Sequence, residues 1–445
     1  IVPEVTLLIG FSCICLFYIF FKSQSKTGDL NSINFQNWFF NSFLLVTLFF
    51  YSFCSFFQVL LNDEDTFFIF HGSVWIEPSI LLMRSVFAYL VFIIVYVYLF
   101  KGVYKQRGNN SGSPHSFELS VLILLIIFGM SVCLSANNFI IFYLALELQS
   151  FCFFILLFLG PSSFQSTKAG IIYFLSVLTS SIFFLVGVLY LYWTFGSLQL
   201  NELSILIYTS VQTSEISVIN TVFLFFMFLG LFVKVGLVPV HLWVPNVYAF
   251  GKLFPVSLIA TVSKLFGFAI ILRLLITCSY NLDLFILLEF IALCSIFQGV
   301  FGALTQKSIF SLLGYSAIAH MGYSFLVLCI NTEDAYVYAI FYVIVYIFNI
   351  LPIFIFFFGV RQVIDVEGVK IFVPNKLTSI SDFQNINLNG WKKVTAFLFF
   401  STFFFSFIGI PPFSGFFAKF LIIKYLILTG HYFSAFVMGF LSVIS

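Results

Sequence analysis

The chain has 445 residues, of which 62% are hydrophobic and 8% charged, and its 19 basic and 17 acidic residues give a net charge of +2. Soluble proteins carry roughly 25% charged residues, so this composition excludes a soluble enzyme. A near-neutral balance with no basic cluster excludes a nucleic-acid-binding protein, and 69 phenylalanines exclude a disordered chain. The class that remains is the polytopic membrane protein.

Runs of about 20 mostly apolar residues predict membrane-spanning helices. Twelve such runs and the start of a thirteenth follow one another. They are too long and too uniformly apolar for barrel strands, which alternate over about ten residues. The sequence therefore predicts an all-α membrane bundle of about 13 helices. The runs cover residues 5–21, 38–59, 78–100, 118–134, 138–159, 168–194, 218–240, 254–277, 283–304, 308–330, 335–359, 395–428 and 432 onward.

Charges in the connecting loops alternate in sign from one side of the bundle to the other. Because basic loops stay on the side of insertion, this alternation supports the span count and places the N-terminus on the acidic side. The basic side carries Lys22, Lys26, Lys101, Lys105, Arg107, Lys168, Lys252, Lys307, Arg361, Lys370, Lys376, Lys392 and Lys393. The acidic side carries Glu4, Asp63, Glu64, Asp65, Glu77, Glu202, Glu215, Asp283, Glu333 and Asp334.

Six charged residues fall inside the predicted spans. Each costs about 2.5–3.5 kcal/mol on insertion scales, so each indicates either a functional group or a structural ion pair. The residue types alone favour neither interpretation. The six are Arg84, Glu147, Lys234, Lys264, Glu289 and Lys419.

Prolines mark three spans as broken, because proline removes a backbone hydrogen bond and clashes with the preceding turn. The seventh span runs into Pro239, His241 and Pro245; the eleventh contains Pro352; the twelfth contains Gly409, Ile410, Pro411 and Pro412. In lipid, broken helices line polar cavities. Breaks close to Lys234 and Lys419 therefore predict a transporter built from two repeats.

The breaks in the seventh and twelfth spans lie five spans apart and divide the chain. The prediction is an N-terminal three-helix extension over 1–117, a first five-helix half-channel repeat over 118–277 and a second five-helix repeat over 278–431. Residues 432–445 would then be the start of a truncated or continued helix.

Four ordered segments resemble the antiporter-like subunits of NADH:ubiquinone oxidoreductase, complex I. They are 232–248, with its Lys, Pro, His and Trp; Ser263 with Lys264; 315–323, around His320; and 409–420, ending in Lys419 and Phe420. Within the family, Glu147-Leu148-Gln149-Ser150 and 169–174 are most similar to the mitochondrial subunit 2 branch. The resemblance covers about 118–430.

Some positions depart from the family pattern. Lys168 replaces an acidic residue, Ile172 a lysine and Asn246 an aspartate, while Phe310-Ser311 replaces a basic pair. The alternatives are a paralogous subunit (subunit 4, which usually has Glu in place of Lys419, or a cation/proton antiporter subunit) and a non-pumping scaffold. Because of these departures, the sequence does not decide whether protons enter from the loops.

The resemblance implies a proton-translocating membrane-arm subunit of the enzyme, coupling quinone reduction to pumping. Glu147 would be the modulating counter-charge of Lys234, Lys264 the central proton carrier, His320 a lateral relay and Lys419 the output group. For His320 the alternative is a hydrogen-bonded interior histidine. Residues that would shape the breaks and cavity are Pro239, His241, Pro245, Pro411 and Pro412.

No redox centre, metal or NADH site is expected on this chain, because its eight cysteines include no Cys-x-x-Cys pair. The resemblance implies that FMN, iron–sulfur clusters and ubiquinone belong to other subunits. Implied partners are subunit 4, the small membrane-arm subunits and lipids, with no nucleic acid. Two further spans expected of the family would lie on a separate polypeptide or outside this sequence.

The resemblance implies a location in the mitochondrial inner membrane, with basic loops in the matrix and the N-terminus in the intermembrane space. Arg84 is interpreted as an anchor for the N-terminal spans. Glu289, which has no family counterpart, is interpreted as part of a structural pair or as a lineage feature.

Overall fold

A computed structural model describes residues 2–24, 30–61, 67–69, 72–106, 116–159, 164–212, 218–277, 282–359, 362–366, 369–373 and 390–444. The chain forms two compact units. The first comprises Ile1–Gly170 with Ser197–Leu203, and the second Ile171–Gly196 with Ser204–Ser445. The prediction of an α-helical membrane protein is confirmed, since the described residues contain nine helices long and apolar enough to cross a membrane and four shorter apolar helices.

The helices follow the predicted runs, because each run has enough apolar surface to be stable only in lipid or against another helix. They are α1 Val2–Gln24, α2 Leu30–Leu61, α3 Pro78–Gln106, α4 Ser116–Ser135, α5 Phe139–Phe158, α6 Phe164–Phe195, α7 Leu200–Gln212, α8 Val218–Val235, α9 Trp243–Phe250, α10 Leu253–Leu258, α11 Lys264–Thr277, α12 Leu282–Leu304, α13 Ile309–Leu328, α14 Glu333–Gly359, α15 Gly390–Ile408, α16 Ser414–Leu428 and α17 Tyr432–Ile444.

Two short antiparallel hairpins, which the sequence analysis did not predict, join helices. Strands β1 Phe67–Ile69 and β2 Val74–Ile76 lie between α2 and α3, and β3 Gln362–Val366 and β4 Val369–Val373 lie between α14 and α15. In the first unit the β1–β2 turn is held by Asn137, whose backbone N–H and side-chain amide donate to Ser73 and Gly72 at 2.8 Å.

The first unit is organised around α2 and α4. Helix α2 packs against α1 and α3, and α4 packs against α1, α2, α3 and α5. Arg84 of α3 is 2% exposed, pairs with Glu4 of α1 and donates to the Ser131 carbonyl of α4 at 3.0 Å. Arg84 therefore anchors the N-terminal helices as predicted. Glu4, predicted as a loop charge, lies instead in the first turn of α1, where it supplies the counter-charge of Arg84.

In the second unit α13 is the central helix. It packs along α12 and α9, and α14 packs against α13, α15 and α16. The C-terminal α17 packs against α12 and α16. Of the α13 residues, Ala317, Ile318, Met321 and Tyr323 are at most 1% exposed, so the element that carries His320 lies in the protein interior.

The predicted breaks are confirmed in two of the three spans. The seventh span ends at Val235 instead of residue 240, and the twelfth splits into α15 and α16. The third prediction is wrong, because α14 continues through Pro352. Ile350, Ile353 and Phe354 are buried around that proline, and their packing holds the helix together despite one missing N–H.

Three other features were missed. Helix α7 has 13 residues and carries Glu202, so it falls below the length of an apolar span. A π-helical turn, Ile259–Ser263, interrupts the eighth span immediately before Lys264, and no residue type marks such a turn in advance. The predicted number of charged residues within the spans was also too low, because Arg273 lies in α11 and Lys424 lies in α16.

Candidate functional site

The break after α8 places Lys234 in the last turn of a helix. Gly236 has a φ of +89°, and the N–H groups of Gly236 and Leu237 both donate to the Phe232 carbonyl, at 2.8 and 2.9 Å. Glycine adopts this left-handed conformation without steric cost. A cation in the last turn is favoured by the negative end of the helix dipole, so the break suits the charge of Lys234.

Trp243 satisfies a carbonyl that the break leaves free. Its indole Nε1 donates to the Val233 carbonyl at 2.8 Å, and both residues are buried. The tryptophan at the start of α9 thus holds the end of α8, one residue before Lys234. In the same break, His241 Nδ1 lies 3.2 Å from the Pro239 carbonyl, which is where the sequence analysis placed that histidine.

The second break repeats the backbone pattern of the first. Gly409 has a φ of +85°, and the N–H groups of Gly409 and Ile410 both approach the Phe405 carbonyl, at 3.0 and 3.1 Å. Each break also contains one cis peptide bond, Val238-Pro239 in the first and Pro411-Pro412 in the second. The two breaks therefore share their backbone geometry, and their assignment to two five-helix repeats stays a prediction.

Lys419 binds directly to the second break. Its Nζ donates to the Ile408 carbonyl at 2.9 Å and lies 5.5 Å from the ring centroid of Tyr323. Only 5% of Lys419 is exposed. The carbonyl that the helix can no longer satisfy internally therefore becomes a ligand for a buried ammonium group.

Lys264 occupies the most enclosed position of the three lysines. It is 1% exposed, and Nζ forms no hydrogen bond to any described residue. The aromatic faces of Tyr248 and Tyr346 lie 5.7 and 5.9 Å from Nζ. Such cation–π contacts stabilise an ammonium group only partly, so proton exchange at Lys264 requires little rearrangement of strong bonds.

His320 lies between the two lysines in the aromatic cluster. Its Nδ1 is 2.7 Å from the hydroxyl of Tyr342. The ring centroids of Tyr323 and Tyr346, which contact Lys419 and Lys264 respectively, are 6.0 and 5.5 Å from the imidazole. The structure therefore brings Lys264, His320 and Lys419 together through shared tyrosines.

Four buried tyrosines complete this arrangement, and the sequence analysis did not single them out. We refer to Tyr248, Tyr323, Tyr342 and Tyr346 as the tyrosine cluster; each is at most 3% exposed. Spacing gave a usable signal, because Tyr342 and Tyr346 are four residues apart on α14 and therefore share a helix face. Tyr323 follows His320 by three residues on α13, so these two residues also share a helix face.

Helix α9 is fixed against α13 by a close backbone approach. A Cβ atom on Gly314 would lie 2.7 Å from the Cα atom of Pro245, so only glycine permits this contact. Pro245 therefore positions the start of α9, and with it Trp243. This location agrees with the predicted role of Pro245 in shaping the break.

Glu147 lies in α5 of the first unit and is partly buried. The neighbouring Ser150 hydroxyl donates to the Leu146 carbonyl at 2.8 Å. A Cβ atom on Gly129 of α4 would lie 3.2 Å from the Ala145 carbonyl, so the two helices approach closely beside Glu147. Lys234 belongs to the second unit, and the pairing of Glu147 with Lys234 stays a prediction.

One basic residue outside the spans also has a shifted pKa. Lys252 connects α9 to α10 and is partly buried, and this burial lowers its pKa below the usual value for lysine. The shift makes Lys252 a better proton donor than a fully solvated lysine.

The comparisons with known proteins assign the family. The family model described as NADH:quinone oxidoreductase/Mrp antiporter, TM, matches residues 136–445. The chain belongs to this family. NADH-quinone oxidoreductase subunit N of Francisella tularensis is 28% identical over 450 residues, covering 100% of this chain and 86% of that protein. Subunit N of Ruthia magnifica is 30% identical over 377 residues, covering 83% and 73%.

Solved structures support the same fold. Respiratory complex I from Thermus thermophilus matches with a TM-score of 0.73 at 21% identity, covering 100% of this chain and 87% of the other. The Mrp complex from Dietzia matches with a TM-score of 0.75 at 16% identity, covering 100% and 78%. The prediction of an antiporter-like subunit of complex I is confirmed by the family and its relatives, which are bacterial.

Proposed function

We propose that this chain is the subunit 2 member of the membrane arm of mitochondrial NADH:ubiquinone oxidoreductase and moves protons through Lys264, His320 and Lys419. The observation that carries the proposal is the tyrosine cluster, which contacts all three residues inside one compact unit. Family membership supports the role in the complex, and the Glu147 motif supports the subunit 2 branch.

The arrangement is suited to transfer in several steps. Moving one proton against about 200 mV requires about 4.6 kcal/mol. An ion pair separated from about 4 Å to 8 Å changes its energy by about 2 kcal/mol at an effective dielectric of 20. One pair is therefore insufficient, and a line of coupled groups distributes the work. Lys264 and His320 would pass the proton, and Lys419 would release it.

The proposal extends to partners, cofactors and location. The neighbouring chains would be subunit 4 and the small membrane-arm subunits, with FMN, iron–sulfur clusters and ubiquinone bound elsewhere in the complex. The membrane would be the mitochondrial inner membrane, with the basic loops in the matrix. The content of 69 phenylalanines, which agrees with AT-rich organellar coding, supports this location.

The decisive experiment replaces Lys264 in the assembled complex. Lys264→Met keeps an unbranched side chain of similar length but removes the proton carrier. We expect the complex to assemble and its NADH-driven proton pumping in vesicles to fall strongly. The matched control is Lys424→Met, because Lys424 lies on the exposed face of α16. Unchanged pumping with Lys264→Met, or failure to assemble as its only defect, would instead support a scaffold subunit.

The same preparation separates the remaining alternatives. Recovery of the chain with a large NADH-oxidising complex is expected, and mass spectrometry of that complex would identify the neighbouring chains. Cation transport by the chain alone, without such a complex, would contradict the proposal in favour of a stand-alone antiporter. Fractionation of the source cells would locate the complex in mitochondria or in another membrane.

A further inference from the structure

Glu289 and His431 form an ion pair that the proposed proton path does not use. Glu289 belongs to α12, and His431 joins α16 to α17. His431 Nδ1 lies 3.5 Å from Glu289 Oε1, and the two side chains are 37% and 24% exposed. The two groups are therefore close enough to share a proton, and neither side chain is fully buried.

The pair lies toward the acidic side of the bundle. Helix α12 begins on that side with Leu282 and Asp283, and α14 begins there with Glu333 and Asp334. Since α15 begins next to the basic Lys392 and Lys393, the α15–α16 span ends on the acidic side. His431 follows directly after that span.

Polar groups lead from Lys419 to His431 along α16. Tyr425 lies six residues beyond Lys419 on α16, about 9 Å along the axis at a helical rise of about 1.5 Å per residue. His431 lies beyond the end of α16, where its backbone N–H donates to the Leu426 carbonyl at 2.9 Å. The Tyr425 hydroxyl hydrogen-bonds Thr332, at the start of α14. Ordered waters that bridge polar groups would complete the two intervals, so the side chains mark a route from Lys419 to the acidic side.

A second ion pair in the same chain shows what a purely structural pair looks like. Arg84 is 2% exposed and pairs with Glu4, and an arginine stays charged at every physiological pH. Glu289 is paired with a histidine, whose charge changes near neutrality. A histidine partner can take up and release a proton, which an arginine partner does not do.

Other titratable groups lie on the elements packed around the pair. Cys329, directly after α13, interacts electrostatically with Glu289. Helix α16 contributes the buried Tyr425 and the exposed Lys424, and α17 contributes Tyr432, which is 68% exposed. Among these, only Glu289 and His431 are an acid and a base within ion-pair distance of each other.

We propose that Glu289 and His431 form a proton-release site on the acidic side, which receives protons that leave Lys419. The Lys419 ammonium would give a proton through water to the imidazole of His431, leaving a neutral lysine and an imidazolium next to the Glu289 carboxylate. The imidazolium would then release that proton to water on the acidic side. This inference rests on the proposed proton-translocating function.

The test compares two double variants in the assembled complex, reconstituted in vesicles with the acidic side accessible. Glu289→Gln with His431→Asn keeps a hydrogen-bonding pair but removes titration. Glu289→His with His431→Glu keeps a titratable pair with its positions exchanged. The readouts are proton pumping driven by NADH oxidation, and its dependence on pH at the acidic side over roughly pH 5 to 8. The control is Phe436→Leu, an exposed residue of α17.

We expect the amide pair to slow pumping about tenfold or more, since a positioned acid–base group contributes at least that much to proton transfer, and to remove the pH response. The exchanged pair should restore both. Wild-type pumping and pH response in the amide variant would overturn the inference. Loss of pumping in both double variants, together with failure of the complex to assemble, would also overturn it. If Lys264→Met pumps normally, the proposed function fails first; if only the amide variant pumps normally, this inference alone fails.

Discussion

His320 and Tyr342 are joined by a hydrogen bond of 2.7 Å between Nδ1 and the tyrosine hydroxyl, inside a part of α13 and α14 that excludes solvent. The partner of one ring nitrogen decides which tautomer a histidine adopts. Tyr342 therefore orients the imidazole and leaves Nε2 for proton transfer. This contact connects a family motif residue to a residue that no motif had marked.

Replacing Tyr342 by phenylalanine should reduce pumping without preventing assembly. The ring is retained, so packing changes little, but His320 loses its orientation; a single hydrogen bond contributes about 1 kcal/mol to stability. The measurement is the number of protons pumped per NADH oxidised in vesicles. Tyr338→Phe is the matched control, because Tyr338 lies on the same helix and its ring contacts Tyr425, outside the cluster, with centroids 5.0 Å apart. Equal values for both variants would contradict this role.

Replacing Gly409 by alanine should destabilise the protein for two reasons, its backbone conformation and its close neighbours. Two other glycines allow these two effects to be measured separately. The φ of +85° at Gly409 costs a non-glycine residue about 1–2 kcal/mol, and a Cβ atom there would lie 3.1 Å from Cδ of Lys419. Gly430 shares the φ of +85° but has open space around it, and Gly439 of α17 has open space and no such φ. Thermal denaturation should rank Gly409→Ala as most destabilising, then Gly430→Ala, with Gly439→Ala neutral or stabilising.

Trp243→Phe should loosen the end of α8. The change removes the donor to the Val233 carbonyl and leaves that buried group unsatisfied, at a cost of about 1–3 kcal/mol. We expect a lower midpoint of thermal unfolding and weaker pumping, because Lys234 adjoins the freed carbonyl. Trp193→Phe is the control, since Trp193 is 79% exposed. A loss of similar size in both variants would indicate a general effect of removing tryptophan.

Arg84→Met should lower the yield of assembled complex. It leaves Glu4 within the first unit without its counter-charge, and removal of one partner from a buried pair costs about 3–5 kcal/mol. Adding Glu4→Gln should recover much of the loss, because the remaining amide carries no charge. Native gel electrophoresis measures the yield. If the double variant assembles worse than Arg84→Met, the two residues do not act as a pair.

The sequence predicted the helical runs and marked Lys264, His320 and Lys419, which the structure brings together, because these features have strong local causes. Long apolar runs are stable only in lipid or against other helices. Glycine and proline residues near Lys234 and Lys419 marked the two breaks that the structure contains, and the family motifs identified His320. Local signals failed where packing overrules them. Pro352 stays inside α14, and the π-helical turn before Lys264 is set by its neighbours.

By itself, then, the sequence determined that the chain spans a membrane, how its loops are charged and which few ionisable groups lie between the loops. Only the tertiary structure decided which of those groups share an environment. Contacts between α13, α14 and the broken helices create the tyrosine cluster, and packing of α12 against α17 gives Glu289 a histidine partner. The physical reason is that helix formation depends on neighbours within four residues, whereas a proton path depends on contacts between side chains far apart in the sequence, such as Lys264 with Tyr346 and Lys419 with Tyr323.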